Sequence, residues 1–116
     1  MVTISINDLC VKAFIGTKAR EKQKRQNIVI QVSFDYDAAR AIRTDHLADA
    51  VDYAALSREI IRRIEDSRFQ LIEKLADAVM KILLAHPGVK AATVEIEKPQ
   101  AIKSARSVSV RMRRKG

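Results

Sequence analysis

The chain has 116 residues, a formal net charge of +8 and a hydrophobic content of 47%, with only three glycines and two prolines. This length predicts a single domain, residues 1–116, and is too short for a second independent core. No apolar run approaches the length of a membrane span, and no charged-then-apolar leader is visible. We therefore expect an ordered cytoplasmic protein that does not bind membranes.

Cysteine and histidine usage argues against a disulfide framework or a metal centre. Cys10 is the only cysteine, so it has no partner within the chain. His46 and His86 lie far apart and lack the spacing of metal ligands. The sequence therefore predicts no structural metal.

Basic residues concentrate in two segments, 18–25 and 111–115. Nucleic acid is the usual partner of such a charge balance. However, aromatic residues make up only 4% of the chain, and no glycine-rich clamp or basic recognition helix is present. The alternatives are a solvated loop and tail, or a small, multiply charged ligand such as a phosphorylated metabolite.

Apolar and polar residues alternate in four segments, which predicts four strands. The first two cover residues 2–14 and 28–36. The third contains Val94 and Ile96, and the fourth covers 108–112.

Two helical stripes lie between the second and third strands. The first carries Leu56, Ile60 and Ile64, with Asp52 as its predicted N-cap after a turn-rich stretch at 43–52. The second covers 72–83 and ends before Pro87-Gly88. The order ββααββ predicts an α+β fold: a four-stranded antiparallel sheet with both helices packed on one face.

The other face of this sheet is too polar to form a second core. Its predicted residues are Gln31, Ser33, Asp35, Thr93 and Glu95. Four strands also leave two open edges, which favour pairing with other copies of the chain. We therefore expect sheets to join edge to edge into a larger barrel, with sites between subunits.

Lys98 is the strongest single candidate for chemistry. It lies between an alternating strand and Pro99, which forces the chain out of the ladder, so its amine can project from a fixed backbone into a cleft. A partly buried lysine suits proton transfer near neutral pH. The alternative is a solvated lysine at the end of a strand.

Motifs along the whole chain resemble the dihydroneopterin aldolase family and its close relative, dihydroneopterin triphosphate 2'-epimerase. The matching residues are Ile15-Gly16, Glu21, Gln26, Asp52-Tyr53, Ser67 through Leu75, Glu97-Lys98-Pro99 and Ser107 through Val110. The resemblance implies the tunnelling fold, in which subunits form rings that pair into octamers, so we expect a tetramer or an octamer. It also implies a small-molecule pterin substrate and no metal or organic cofactor.

The resemblance assigns pterin recognition to the start of the second long helix. The Glu73 carboxylate would accept two N–H hydrogen bonds from the pterin edge, and the amides of Leu71 and Ile72 would serve the ring carbonyl. The alternative for Glu73 is a glutamate that only complements the helix dipole.

The same resemblance gives Lys98, Tyr53 and Glu21 catalytic roles. Lys98, through a water, would supply general acid and base in the retro-aldol cleavage of 7,8-dihydroneopterin. Tyr53 would handle the proton at carbon. Glu21 would orient the lysine or the side-chain hydroxyls of the substrate from a neighbouring subunit. Gln26 would support the loop rather than react.

The two activities of the family share this cleavage, and we expect the aldolase, a folate-biosynthesis lyase, with the epimerase as the alternative. Lys18, Arg20 and Lys22 would neutralise a triphosphate in the epimerase. A basic nucleic-acid-binding module and an inactive ring-forming scaffold are the alternatives outside these two activities.

Overall fold

The structure is a computed structural model that describes all of residues 1–116. Its strands and helices follow one another as β1 (Val2–Ile15), α1 (Ala19–Gln23), β2 (Gln26–Tyr36), α2 (Ala39–Thr44), α3 (Tyr53–Glu65), β3 (Arg68–Phe69), α4 (Ile72–Ala85), β4 (Val89–Pro99) and β5 (Ser107–Lys115). One turn of 3-10 helix, Leu47–Asp49, precedes α3.

The strands form one mixed sheet in the order β3-β1-β2-β4-β5. The four long strands are the predicted ones, and they pair antiparallel as expected. The predicted four-stranded, wholly antiparallel sheet is nevertheless wrong, because β3 adds a fifth strand parallel to the end of β1. Phe14 pairs with Arg68, and Ile15 pairs with Phe69. A strand of two residues is too short to show a period of two in the sequence.

Both long helices cover the same apolar face of the sheet, as predicted. Alternate residues of β2 point into the core, where Ile28, Ile30 and Val32 are almost completely buried. The helices contribute two buried stripes, which are Leu56, Ile60 and Ile64 on α3 and Leu75, Val79 and Leu83 on α4. Burial of each large aliphatic side chain contributes about 1.5–3 kcal/mol, so this single cluster holds helices and sheet together.

The local signals at the helix starts differ between α3 and α4. Asp52 caps α3 as predicted, with its carboxylate accepting a hydrogen bond of 3.0 Å from the Ala55 amide. Leu71 occupies the corresponding position of α4 and provides no side-chain cap. The first amides of α4 therefore have no protein side chain to satisfy them.

The stretch predicted as turns between β2 and α3 is partly helical. It contains the end of α2 and the 3-10 helix. Neither element buries a residue completely, so neither leaves an apolar stripe in the sequence that could have predicted it.

The segments that carry the predicted site residues Glu21, Lys98 and Glu73 lie near one end of the sheet. β1 ends there at Ile15, close to the start of β2, because Ala13 pairs with Gln26. β4 ends there at Pro99, which pairs with Ser107 of β5. Two residues separate α4 from β3, and β3 pairs with the end of β1. We call this the site end of the sheet.

Candidate functional site

An ion pair between Lys98 and Glu21 lies at the centre of the site end. The Lys98 ammonium donates a hydrogen bond to Oε2 of Glu21, across 77 positions of sequence. Their side chains are only 12% and 16% exposed, so little solvent screens the pair. The Lys98 backbone is fixed because residue 98 pairs with Val108 of β5.

Three neighbours determine the position and charge of Glu21. Its other oxygen, Oε1, accepts a hydrogen bond of 3.3 Å from the Lys18 amide at the start of α1. The hydrogen bond from Lys98 lowers the pKa of Glu21, and the Lys18 amide adds to this, while partial burial opposes both. Glu21 is therefore a carboxylate at neutral pH. The pair offers a proton donor and an acceptor side by side.

Glu21 lines a cavity of about 260 Å³ that runs along the end of β1 toward α4. Phe14, Gly16, Phe69 and Gln70 line it with Glu21. The cavity thus connects the ion pair to the residue that precedes Leu71 at the start of α4.

The aromatic ring of Phe14 in this cavity is held by two guanidinium groups. Arg68 lies 4.0 Å and Arg25 lies 4.8 Å from the ring centroid. Gln26 fixes the neighbouring loop, since its amide donates a hydrogen bond of 2.6 Å to the Ile15 carbonyl. This contact agrees with the supporting role predicted for Gln26.

The three residues predicted to recognise a pterin lie together at the start of α4. Leu71 is 54% exposed, and Glu73 is also exposed. Glu73 makes no ion pair or side-chain hydrogen bond within the chain. A free carboxylate next to unpaired helix amides can bind a ligand with both donors and acceptors on one edge. The predicted role of Glu73, Leu71 and Ile72 stays a prediction.

Tyr53 does not approach Lys98 within one chain. It begins α3, is 58% exposed, and follows Val51, which lies against Gly88 at the start of β4. Lys98 lies nine residues after Val89, and a strand of that length spans about 30 Å. A shared site would therefore need Tyr53 from a second copy of the chain.

The predicted phosphate-binding residues separate into two places. Lys18 and Arg20 line a basic groove beside the β4–β5 connection, whereas Lys22 lines the Phe14 cavity. Two further cations of the groove, Lys103 and Arg106, were missed by the sequence analysis. Their positive charge was visible in the sequence, but their proximity to Lys18 depends on the β4–β5 connection.

The structure contains no cluster of three or more His, Cys, Asp or Glu side chains arranged as metal ligands would be. It also contains no helix with the length and apolar character needed to cross a bilayer.

The fold and the site define a small α+β protein with a partly buried lysine–carboxylate pair at a cavity. Sequence comparison gives the family: the profile described as dihydroneopterin aldolase (FolB) matches residues 4–113. The chain belongs to the dihydroneopterin aldolase family.

Individual relatives carry the names of two enzymes. Dihydroneopterin triphosphate 2'-epimerase of Escherichia coli K12 is 40% identical over 107 residues, covering 92% of this chain and 89% of the relative. The Pseudomonas aeruginosa protein of the same name is 34% identical over 110 residues, covering 95% and 89%. The crystal structure of E. coli dihydroneopterin aldolase in complex with neopterin superimposes with a TM-score of 0.93 at 29% identity, covering 98% of this chain and 99% of that one.

Proposed function

We propose that this protein cleaves the C1'–C2' bond in the side chain of a 7,8-dihydroneopterin substrate, using the Lys98–Glu21 pair. One observation supports this above all: the pair is shielded from solvent beside a cavity, in a chain of the dihydroneopterin aldolase family. In the E. coli relative of the same fold, the bound ligand is neopterin.

The reaction is a retro-aldol cleavage. The 2'-hydroxyl loses its proton, the C1'–C2' bond breaks, and its electron pair passes through C1' into the conjugated pterin ring. The fragment containing C2' leaves as glycolaldehyde. C1' then takes up a proton, which gives 6-hydroxymethyl-7,8-dihydropterin. The ring itself stores the electron pair between these steps.

The ion pair defines how Lys98 and Glu21 would share the proton transfer. The pair places a carboxylate and an ammonium in contact, so Glu21 would accept the hydroxyl proton and Lys98 would act as the hydrogen-bond donor. A water bound between the pair and the hydroxyl would carry the proton to Glu21. Lys98 would donate a hydrogen bond to the substrate oxygen from the other side and stabilise the negative charge on that oxygen.

Pterin recognition would use the start of α4. The Glu73 carboxylate would accept two N–H hydrogen bonds from the amino-pyrimidinone edge, and the Leu71 and Ile72 amides would donate to the ring carbonyl.

The separation of Tyr53 from Lys98 supports a site shared between subunits. We therefore propose an oligomer of four or eight copies in the tunnelling fold. In it, the Tyr53 hydroxyl of one copy would supply the proton that C1' takes up in the site of the next copy. The open outer edge of β5 supports such an assembly.

As the first candidate we propose that the aldehyde is released, which makes the net reaction that of an aldolase. For this aldolase we also expect a cytoplasmic location and a role in folate biosynthesis.

The second candidate is epimerisation at C2' of the triphosphate. Here the aldehyde adds back with its other face. The relatives named epimerase are 34% and 40% identical to this chain, whereas the aldolase of known structure is 29% identical, which favours this candidate.

Product analysis tests the proposal and separates the two activities. The protein is incubated with 7,8-dihydroneopterin and, separately, with its triphosphate, and the products are resolved by chromatography. An aldolase releases glycolaldehyde and 6-hydroxymethyl-7,8-dihydropterin. An epimerase converts the triphosphate to its 2'-epimer without net aldehyde release. Absence of turnover with both substrates would indicate an inactive scaffold and contradict the proposal.

A further inference from the structure

The segment that carries Glu21 has no hydrophobic anchor of its own. Glu21 belongs to α1, a helix of five residues in which no residue is fully buried. A helix of this length is not stable in isolation, so contacts outside it must fix its position. The ion pair depends on such contacts, because Lys98 lies on β4 and a displaced carboxylate would lose the hydrogen bond that joins the two residues.

Arg68 joins α1 to the sheet. Its guanidinium donates a hydrogen bond of 3.2 Å to the carbonyl of Lys22, the residue next to Glu21. The last carbonyls of a helix have no donor within the helix, so an arginine N–H is a suitable partner. The same guanidinium lies 4.0 Å from the centroid of the Phe14 ring on β1. One side chain therefore contacts both the helix that carries Glu21 and the strand that precedes it.

The backbone around Arg68 is fixed on both sides. Before it, Ser67 is buried, and its hydroxyl donates a hydrogen bond of 2.6 Å to the Ile64 carbonyl near the end of α3. After it, the Phe69 carbonyl accepts a hydrogen bond of 3.2 Å from the Gly16 amide. The strand that contains Arg68, β3, pairs with the end of β1. The guanidinium of Arg68 therefore extends from a fixed backbone.

Arg25 makes a longer contact of the same kind. Its guanidinium lies 4.8 Å from the Phe14 ring centroid and donates a hydrogen bond of 3.4 Å to the Glu65 carbonyl. Both distances exceed those of Arg68, and the hydrogen bond leads to α3, away from Glu21. Of the two arginines at the Phe14 ring, Arg68 is thus the one that binds α1.

We propose that Arg68 is a positioning residue for the Lys98–Glu21 pair, because its guanidinium holds α1 where the Glu21 carboxylate meets Lys98. Arg68 forms no ion pair with Glu21, so it acts through the backbone of α1. Both residues line the cavity of about 260 Å³, and the contact that fixes α1 therefore also fixes one wall of that cavity. The effect on the position of Glu21 does not depend on any substrate, whereas the effect on turnover rests on the proposed function.

Carbon-13 NMR of the Glu21 carboxylate is the direct test, because it reports the contact with Lys98 without any turnover. A pH titration would compare wild type with Arg68→Met. The hydrogen bond from Lys98 lowers the pKa of Glu21, so this pKa should rise when Arg68 no longer holds α1. The Glu21 and Lys22 amides both donate to the Lys18 carbonyl, and their hydrogen exchange should accelerate by at least about threefold.

Arg63→Met is the matched control. The Arg63 guanidinium also lies over an aromatic ring, 5.2 Å from the Phe69 centroid, but it makes no hydrogen bond to α1. The control removes the same charge and the same type of contact at a neighbouring ring. We expect the wild-type titration of Glu21 and the wild-type exchange of the α1 amides.

Two further variants separate position from charge. Arg68→Lys keeps the charge, but an ammonium does not stack on Phe14 as a planar guanidinium does, so it should restore the pKa of Glu21 only in part. Phe14→Leu keeps every charge and removes the ring, and it should also raise the pKa of Glu21. Complete restoration by Arg68→Lys together with no effect of Phe14→Leu would mean that only the charge at position 68 matters, which would overturn the proposal.

An unchanged titration of Glu21 and unchanged amide exchange in Arg68→Met would overturn the proposal as well. Equal changes in Arg68→Met and Arg63→Met would do the same. If only Arg68→Met changes both readouts while the wild type turns over no pterin, the positioning role stands and the proposed function fails.

Kinetics connect the position of Glu21 to the chemistry where the wild type cleaves dihydroneopterin. Arg68→Met should lower kcat by about tenfold and leave KM within about threefold, because a misplaced carboxylate impairs proton transfer more than pterin binding at the start of α4. Arg63→Met should retain wild-type values. A rise in KM without a fall in kcat would show that Arg68 contacts the substrate instead and would contradict a positioning role.

Discussion

The carboxylate of Glu21 lies against the α-carbon of Gly16, in the space that a side chain at position 16 would occupy. Gly16 also has a φ of +133°, a conformation that residues with a side chain rarely adopt. Its amide donates a hydrogen bond of 3.2 Å to the Phe69 carbonyl, which ties the loop to β3. The glycine therefore allows Glu21 to reach Lys98 from five residues further along the chain.

Gly16→Ala should disturb both the backbone and the ion pair. The strained φ alone should lower the free energy of unfolding by about 1–3 kcal/mol, and the added methyl group should displace Glu21. Urea denaturation measures the first effect, and turnover of the pterin substrate measures the second. Gly88→Ala is the comparison for the backbone effect, because Gly88 does not have a positive φ and lies at the far end of β4. Its added methyl group would still meet His86 and Val51 at 3.2–3.3 Å, so a steric cost without a φ cost is expected there. Equal stability of wild type and Gly16→Ala would show that the loop relaxes without cost.

The lowered pKa of Glu21 predicts a specific pH dependence of stability. A carboxyl group whose pKa is lowered by folding stabilises the protein above its unfolded value of 4.5, and that contribution is lost as the pH falls through the lowered folded value. The difference in unfolding free energy between wild type and Glu21→Gln should therefore be constant above about pH 5.5 and should shrink below pH 4.5. Denaturation series at several pH values measure this difference.

Lys98→Met provides the control background for that experiment. Without Lys98, the largest cause of the lowered pKa is absent, and burial acts to raise the pKa of Glu21. The effect of Glu21→Gln should then lose its acid dependence or reverse sign. An unchanged acid dependence in the Lys98→Met background would mean that the ion pair does not control Glu21.

Much of the fold could be predicted because its long elements carry a clear period. The alternation in β2 and the stripe on α3 each reflect one buried face, so the periodicity of the amino-acid sequence alone predicts both elements. β3 and the short helices leave no such trace, because they are too short to bury a periodic face.

The site could be predicted only in part for a different reason. Lys98 was proposed as a site residue from its position at the end of a strand, and the resemblance proposed Glu21. Their contact joins residues 77 positions apart, and Lys103 meets Lys18 only through the folded β4–β5 connection. Such proximity is a property of tertiary structure that local sequence patterns do not encode.

Glu73→Gln should weaken pterin binding. The substitution keeps the size of the side chain but replaces one acceptor oxygen with an amide donor facing the pterin N–H groups. Loss of a charge-assisted bond and the resulting unsatisfied groups should cost about 2–4 kcal/mol of binding free energy. Calorimetry with neopterin measures it. Glu59→Gln, an exposed position on α3, should have no effect. Unchanged affinity of the Glu73 variant would assign this glutamate to the helix dipole alone.

A site shared between subunits predicts that two inactive variants can complement each other. Tyr53→Phe removes the hydroxyl supplied by one copy, and Lys98→Ala removes the amine of the other. After denaturation and refolding as a mixture, about a quarter of the sites should contain both intact residues, and activity should return to that extent. Light scattering should give a multiple of four subunits for both the pure and the mixed proteins.

The control for complementation uses two residues of the same chain. A mixture of Lys98→Ala and Glu21→Gln contains no chain with an intact ion pair, so it should stay inactive. If Tyr53→Phe and Lys98→Ala form mixed oligomers without any recovery of activity, Tyr53 does not act on the Lys98 site of a neighbour.

The rate of C1'–C2' cleavage by Lys98→Ala tests the central claim most directly. The substitution removes the proton donor of the pair but leaves the start of α4 intact. We predict that kcat falls by about 10²–10⁴-fold, while the affinity for 6-hydroxymethyl-7,8-dihydropterin changes by less than about threefold. Lys90→Ala, an exposed position on the same strand, should retain wild-type turnover. A Lys98→Ala protein with nearly normal kcat would contradict the assignment of the chemistry to the Lys98–Glu21 pair.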